Sequence, residues 1–458
     1  MTHDEGCKLR ALERLRGSQG TRSGINLAIA TAAWTGGAAL FSLVCIRFLG
    51  SERFGDVATM SALGTLLGIP LGSVQSLLAR EIAQLESHGD RAGVGILFRR
   101  SVGIAALASL TLTVALIACS SWVGRVVNVD SYVVVAIGLS VVPFFAVGAI
   151  LNGFLQGLQR FPRLSVVVSV SGLSRPILVL PVLLVGFGAG GALGVNTAAS
   201  ALAALLAAWF LRDLGARTRS RQSSYTFNRR EMVALLGGTL AFASLTNLDV
   251  VLANAVLTDR EGGLYAAASL TAKLILLFPL VVSTVLLPKA TSRAAEGRSS
   301  LNMLRLSLAV TAGFSVVAAA LLSLVSESVV VKVFGLDFKD STALLGLFGV
   351  AMVLLGLVNV YLYYYLAYRQ PGFPLLVGLA AIGQVVGVLL WHPGPRAVVI
   401  VTLICAGLTL LVHESLFPNG LVRGLLRIRR PADKVPLLDA ERQRSMAQSN
   451  FPTHRAHI

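Results

Sequence analysis

The chain has 458 residues, 55% of them hydrophobic and only 13% charged, with a mean hydropathy of +0.76. A soluble domain carries about 25% charged residues, so this composition excludes a chain that could cover its surface with polar groups in water. The net charge of +17 invites a nucleic-acid reading, but the basic residues fall in alternate loops and in the two tails, which argues against nucleic acid as a partner.

Residues 1–24 are polar and basic and read as a cytoplasmic tail, with no cleavable signal peptide, because the apolar run that follows is too long for one. An apolar run of about 20 residues spans a bilayer core as a helix, which also satisfies its backbone there. Twelve such runs follow in order, near 25–46, 56–79, 101–121, 132–156, 164–186, 189–211, 233–257, 264–287, 306–325, 341–367, 373–391 and 397–417. The expected fold is an all-α membrane protein with twelve transmembrane helices. The glycine-rich stretch Gly186-Phe187-Gly188-Ala189-Gly190-Gly191 supplies the tight turn between the fifth and sixth.

Lysine and arginine counts test this topology. Thirty lie in the tails and in the loops after even-numbered spans, and seven in the loops on the opposite side. Arg175 and Lys273 fall within spans. The asymmetry places both termini in the cytoplasm. Trp122, Trp209 and Trp391 sit at span ends as interfacial anchors, whereas Trp34, inside the first span, has no such explanation.

The basic linker 212–232 divides a six-helix lobe at 25–211 from a second at 233–417. Pro70 and Pro279 fall in the second span of each half, and Arg80 and Lys289 close those spans, so the halves read as a repeat related by an axis along the membrane normal. The tail 418–458 opens with the basic, amphipathic segment Leu421 to Arg430, suited to an anionic membrane surface, and ends in a polar, disordered stretch. The four cysteines are scattered, with neither metal-ligand nor disulfide spacing.

Charged residues near a bilayer centre are costly and usually face a partner or a pathway. Asp249 and Lys273 lie almost equally far from the polar turn Thr258 to Gly263, so a helix hairpin brings them to the same depth. They form either a structural ion pair or a switchable pair, with Asn247 as polar companion. Arg175, in Ser174-Arg175-Pro176, falls near the midplane, where its guanidinium forks onto a phosphate or sugar-phosphate, or else forms a structural ion pair or bonds carbonyls exposed at the proline kink. Tyr361, Tyr365 and Tyr368 recur at helical spacing and read as a sugar-stacking face or as an interfacial belt. Arg47, Glu52, Arg53 and Asp56 surround the first external loop as solvated or gate-closing ion pairs, and Pro70 and Pro279 are candidate hinges.

Several local patterns are familiar together: Arg47-Phe48-Leu49-Gly50-Ser51-Glu52-Arg53-Phe54-Gly55, Gln156-Gly157-Leu158-Gln159-Arg160-Phe161, Asn247-Leu248-Asp249, Gly263-Leu264-Tyr265-Ala266-Ala267-Ala268-Ser269 and Phe334-Gly335-Leu336-Asp337-Phe338. In this order, with twelve spans, the chain resembles the bacterial polysaccharide (O-antigen and teichoic-acid type) flippase family of the multidrug/oligosaccharidyl-lipid/polysaccharide exporter superfamily. The resemblance implies two pseudo-symmetric six-helix lobes forming a V around a central cavity, in the bacterial plasma (inner) membrane. It implies alternating-access movement of an undecaprenyl-pyrophosphate-linked oligosaccharide to the external leaflet for cell-surface polysaccharide synthesis. The expected partners are that lipid-linked oligosaccharide, membrane lipids, a coupling H+ or Na+, and a polysaccharide polymerase or glycosyltransferases; no cofactor, metal or catalytic residue is expected.

Two other readings stand beside it. A cation-coupled multidrug exporter of the same superfamily would favour buried carboxylates in the first half, which offers only Asp56 near its outer edge while Arg175 is well inside. A membrane-embedded glycan polymerase or glycosyltransferase would need convergent acid, base or metal-binding residues on a sizeable loop, and no loop carries them.

Overall fold

A computed structural model describes residues 3–215, 229–295, 300–368 and 370–416, and among them the regular structure is entirely helical. The first half contains α1 (His3–Ser87), α2 (Arg91–Ala118), α3 (Ser120–Val127), α4 (Tyr132–Leu139), α5 (Val142–Gly157), α6 (Phe161–Leu184) and α7 (Gly188–Phe210). The second contains α8 (Arg229–Val256), α9 (Asp259–Lys273), α10 (Leu277–Ala295), α11 (Leu301–Ser323), α12 (Glu327–Phe334), α13 (Thr342–Ala367), α14 (Gly372–Leu390) and α15 (Pro395–Leu416). Helix α1 begins inside the stretch expected as a basic tail. Most of the linker (216–228) and the tail beyond 416, including the amphipathic segment, lie outside the described residues.

Eleven helical stretches are long and apolar enough to cross a membrane, against twelve expected runs. The difference lies in α1, whose apolar part, Asn26–Ser87, is 62 residues long and contains the first two runs. A straight rod of that length would reach about 93 Å, roughly three times the hydrocarbon thickness. The rod is broken at Gly50, which adopts φ 73° and ψ 176°, a conformation essentially reserved for glycine. Leu27 near one end packs on the same apolar cluster as Leu78 and Ile82 near the other. The chain therefore doubles back at Gly50.

Close backbone approach fixes the first lobe. A methyl group on Gly37 would lie 2.2 Å from the carbonyl oxygen of Gly172, so α1 and α6 cross through two glycines. Pro176 lacks the N–H that would bond that carbonyl, and the freed oxygen is the atom facing Gly37. In the second lobe α13 is the central helix, buried along most of its length, with α9, α10, α11 and α15 around it. The lobes meet chiefly where α1 packs against α8 and α9.

Candidate functional site

A cavity of about 170 Å³ lies where the lobes face each other. Thr65 and Ile69 of α1 form one wall; Thr239, Phe242, Thr246 and Asn247 of α8, Lys273, Leu276, Leu280, and Leu362 and Tyr363 of α13 form the rest. Lys273 is the one charged residue in that lining.

The hairpin of α8 and α9 places this lysine. Thr258 caps α9 by accepting the Glu261 N–H, while the Glu261 carboxylate accepts the Thr258 N–H, a reciprocal box that starts the helix sharply. Tyr265, Ser269 and Lys273 then recur every four residues along one face, and all three donate to Asp249. The Tyr265 hydroxyl lies 3.1 Å and the Ser269 hydroxyl 3.2 Å from Oδ2, and Lys273 Nζ lies 3.2 Å from Oδ1. The Asp249 side chain is 1% exposed and that of Lys273 21%. The carboxylate is thus enclosed and fully engaged, while the ammonium, with three donors, fronts the cavity. Asn247 reaches the same cavity and donates to the Ala243 carbonyl and to Thr246 Oγ1.

Helix α9 ends at Lys273 in a short 3-10 turn, Leu274–Leu276, before α10 resumes. Pro279 accounts for the break, because it cannot bond the carbonyl of Ile275 and its ring crowds that turn. Pro70, its sequence counterpart, leaves α1 helical around it.

Arg175 is placed elsewhere. It is buried, its guanidinium lies 6.0 Å from the centre of the Trp34 ring, and its Nε has no hydrogen-bond partner. No carboxylate among the described residues pairs with it. The contact accounts for Trp34, but Arg175 is not in the cavity wall, so the structure does not bring it together with Lys273. Tyr361, Tyr365 and Tyr368 are tied into the second lobe: their hydroxyls bond Glu414 Oε1 at 2.7 Å, His413 Nε2 at 2.9 Å and Ser300 Oγ at 2.6 Å. Tyr363 is the tyrosine that reaches the cavity. Sequence reading missed Thr239, Phe242 and Thr246 as well, although their i, i+3, i+7 spacing beside Asn247 marks one face of α8.

At the Gly50 end the lobes are in contact. A methyl group on Gly263 would lie 1.8 Å from the Ser51 carbonyl oxygen. Asn254 donates to the Val127 carbonyl at 2.9 Å, Asn128 donates to Asp259 at 2.9 Å, and Phe54 packs edge-on to Phe338. Arg47 donates to the Lys332 carbonyl at 2.8 Å, at the end of α12. The expected ion pairs among Arg47, Glu52, Arg53 and Asp56 are not formed among the described residues; Arg53 and Asp56 line a separate cleft of about 420 Å³.

A family model described as a polysaccharide biosynthesis protein matches residues 21–292. The chain belongs to the polysaccharide biosynthesis protein family. No curated protein matches the chain by sequence. Its fold is similar to that of a lipid II flippase MurJ in an inward closed conformation, with a TM-score of 0.67 at 14% identity, covering 94% of both chains. It is also similar to an inward-facing multidrug resistance MATE family transporter of the MOP superfamily, with a TM-score of 0.65 at 14% identity over 89% of this chain and 100% of that one. A MOP superfamily transporter from Pyrococcus furiosus matches with a TM-score of 0.59 at 15% identity, over 86% and 95% of the two chains. The chain is therefore a multi-pass membrane protein with the fold of these transporters.

Proposed function

We propose that the protein is a flippase that moves an undecaprenyl-pyrophosphate-linked oligosaccharide from the cytoplasmic to the external leaflet by alternating access. In this reading α1 contributes two crossings, both termini are cytoplasmic and the Gly50 end faces outward in the plasma membrane. The observation that carries the proposal is the polarity of the cavity. Lys273 offers it an ammonium, while the neighbouring carboxylate of Asp249 is sealed behind, so an anionic headgroup meets a cation. Thr239, Thr246 and Asn247 add neutral polar groups on the same wall.

This arrangement disfavours the exporter of cationic drugs, which would need a carboxylate at the cavity surface. It favours transport over glycan synthesis, since the cavity brings no acid–base pair together. At about 170 Å³ the cavity is smaller than the 300–1,000 Å³ typical of drug-sized ligands, so a glycan enters only when the lobes part. We assign Lys273 and Asn247 to headgroup contact, Asp249 to holding Lys273, and Arg175 to a second anion contact that becomes reachable as α1 and α6 move. Arg47 and the Gly263–Ser51 contact act as the gate at the Gly50 end.

The test is reconstitution of the full chain into liposomes with labelled polyprenyl-linked sugars, scoring leaflet exposure with and without H+ and Na+ gradients. Exposure above protein-free vesicles supports the reading. Exposure no greater than in those vesicles for every polyprenyl-linked glycan overturns it.

A further inference from the structure

Two short helices at the Gly50 end are counterparts, and each is fastened by the lobe it does not belong to. Helix α3 follows the apolar α2 after a break at Cys119, and α12 follows the apolar α11 after Leu324 to Ser326. Trp122, Arg125 and Val126 are exposed on α3, and Val329, Lys332 and Val333 on α12. Both triplets fall at i, i+3 and i+4, on one helix face. Gly124 and Val127 of α3 and Val330 of α12 are buried. A single sequence interval carries each member of the first triplet onto its counterpart in the second, and the same interval carries Arg47 onto Asn254.

Those last two residues make the crossed fastening. Asn254, in the second lobe, donates to the Val127 and Asn128 carbonyls at the end of α3, at 2.9 and 3.3 Å. Arg47, in the first lobe, donates to the Lys332 and Val333 carbonyls at the end of α12, at 2.8 and 3.5 Å. A helix leaves its last carbonyls without partners of its own, so each short helix has its end completed only while the lobes are together.

What covers the exposed faces follows from where these helices start. Helices α2 and α11 are long and apolar enough to cross a membrane, and their closing turns expose Val114, Ile117, Val317 and Leu321. The triplets thus begin where a span leaves the hydrocarbon, at the level where apolar side chains sink inward and a basic one reaches phosphate. Among the described residues neither Arg125 nor Lys332 is in an ion pair. Nearby acids are otherwise engaged: Glu327 pairs with Lys339 at 3.2 Å, Asp340 with Arg260 at 3.0 Å, and Asp259 accepts from Asn128. Asp130 and Asp337 come after the helix ends, Asp337 with Oδ2 3.3 Å from where a Gly50 Cβ would stand.

We propose that α3 and α12 together bind anionic phospholipids, with Arg125 and Lys332 on the phosphates, and that lipid held there keeps the lobes closed at the Gly50 end. Opening breaks both crossed bonds and shifts both helices against the surface that holds them. The proposal depends neither on what the protein moves nor on which leaflet that end faces, so its test needs no transport. Hydrogen–deuterium exchange of the unaltered full chain is compared in nanodiscs of phosphatidylcholine alone and of phosphatidylcholine mixed with phosphatidylglycerol. Phosphatidylglycerol slows exchange across 120–127 and 327–334 about fivefold, the factor one basic residue gains at an anionic surface, and slows 259–263 at the lobe contact with them. R125Q combined with K332Q removes the lipid effect, whereas R125K combined with K332R keeps it. Equal exchange in the two membranes, or slowing of the short helices without 259–263, overturns the proposal in the unaltered protein, even where a variant fails to fold. A lipid effect that survives R125Q with K332Q overturns it as well.

Discussion

Asp249 is held on both oxygens, by Lys273 on one and by Tyr265 and Ser269 on the other, and only the lysine extends from this group into the space between the lobes. Removing either partner therefore has unequal results. K273M leaves a buried carboxylate without its counter-charge, a loss of about 3–5 kcal/mol in comparable buried pairs, reduced here by the partial exposure of the lysine. D249N keeps two hydroxyl partners and leaves an ammonium that water can reach. K273M should lower the melting temperature in detergent by several degrees more than D249N, and it should abolish flipping where D249N reduces it.

Arg175 gives the opposite expectation. A buried guanidinium without a carboxylate partner destabilises a membrane helix, so R175M should leave the melting temperature unchanged or raise it. If the arginine is kept for substrate contact, the same variant should lose at least tenfold in flipping rate. Unaltered flipping together with a raised melting temperature would end its assignment to the transport path.

The packing of Gly263 on Ser51 sets a third test. G263A places a methyl group where the Ser51 oxygen stands, so the lobes must separate at the Gly50 end. Spin labels on Glu52→Cys and Asp337→Cys, both on exposed positions, should report a longer mean separation by electron–electron double resonance in the G263A background. N254A removes the bond to the Val127 carbonyl, worth about 1 kcal/mol, and should shift the same distribution to a smaller extent.

Asp213 offers a pH test away from the spans. Its carboxyl is held below the usual carboxylate range chiefly by the hydrogen bond from the Arg160 guanidinium, which bonds both of its oxygens and also the Phe210 carbonyl. A carboxyl depressed in the folded state stabilises above its unfolded pKa, about 3.9, and that contribution disappears as pH falls through the lower folded value. With Asp213 half-exposed, the contribution is below about 1 kcal/mol. The unaltered protein should melt slightly above D213N at pH 6, and the difference should shrink as the pH falls below about 3.9.

The helical membrane architecture was legible because spans of about 20 apolar residues and one-sided basic loops leave few alternatives. The Asp249–Lys273 contact was legible too, since equal distance from a polar turn fixes equal depth in a hairpin. Helix faces were not. Tyr361, Tyr365 and Tyr368 share helical spacing, but which flank of α13 looks into the cavity depends on how α14 and α15 pack against it, and no local pattern encodes that. The tyrosine hydroxyls are committed to His413, Glu414 and Ser300, from distant parts of the chain. The gap between Lys273 and Arg175 was likewise hidden, because depth along a helix says nothing of direction around it.

The corner at Gly50 turns one residue into the joint of a long hairpin. Its φ of 73° and ψ of 176° are open to glycine and strained for any residue with a Cβ, so a side chain at position 50 would work against the bend that lets Leu27 reach the cluster of Leu78 and Ile82.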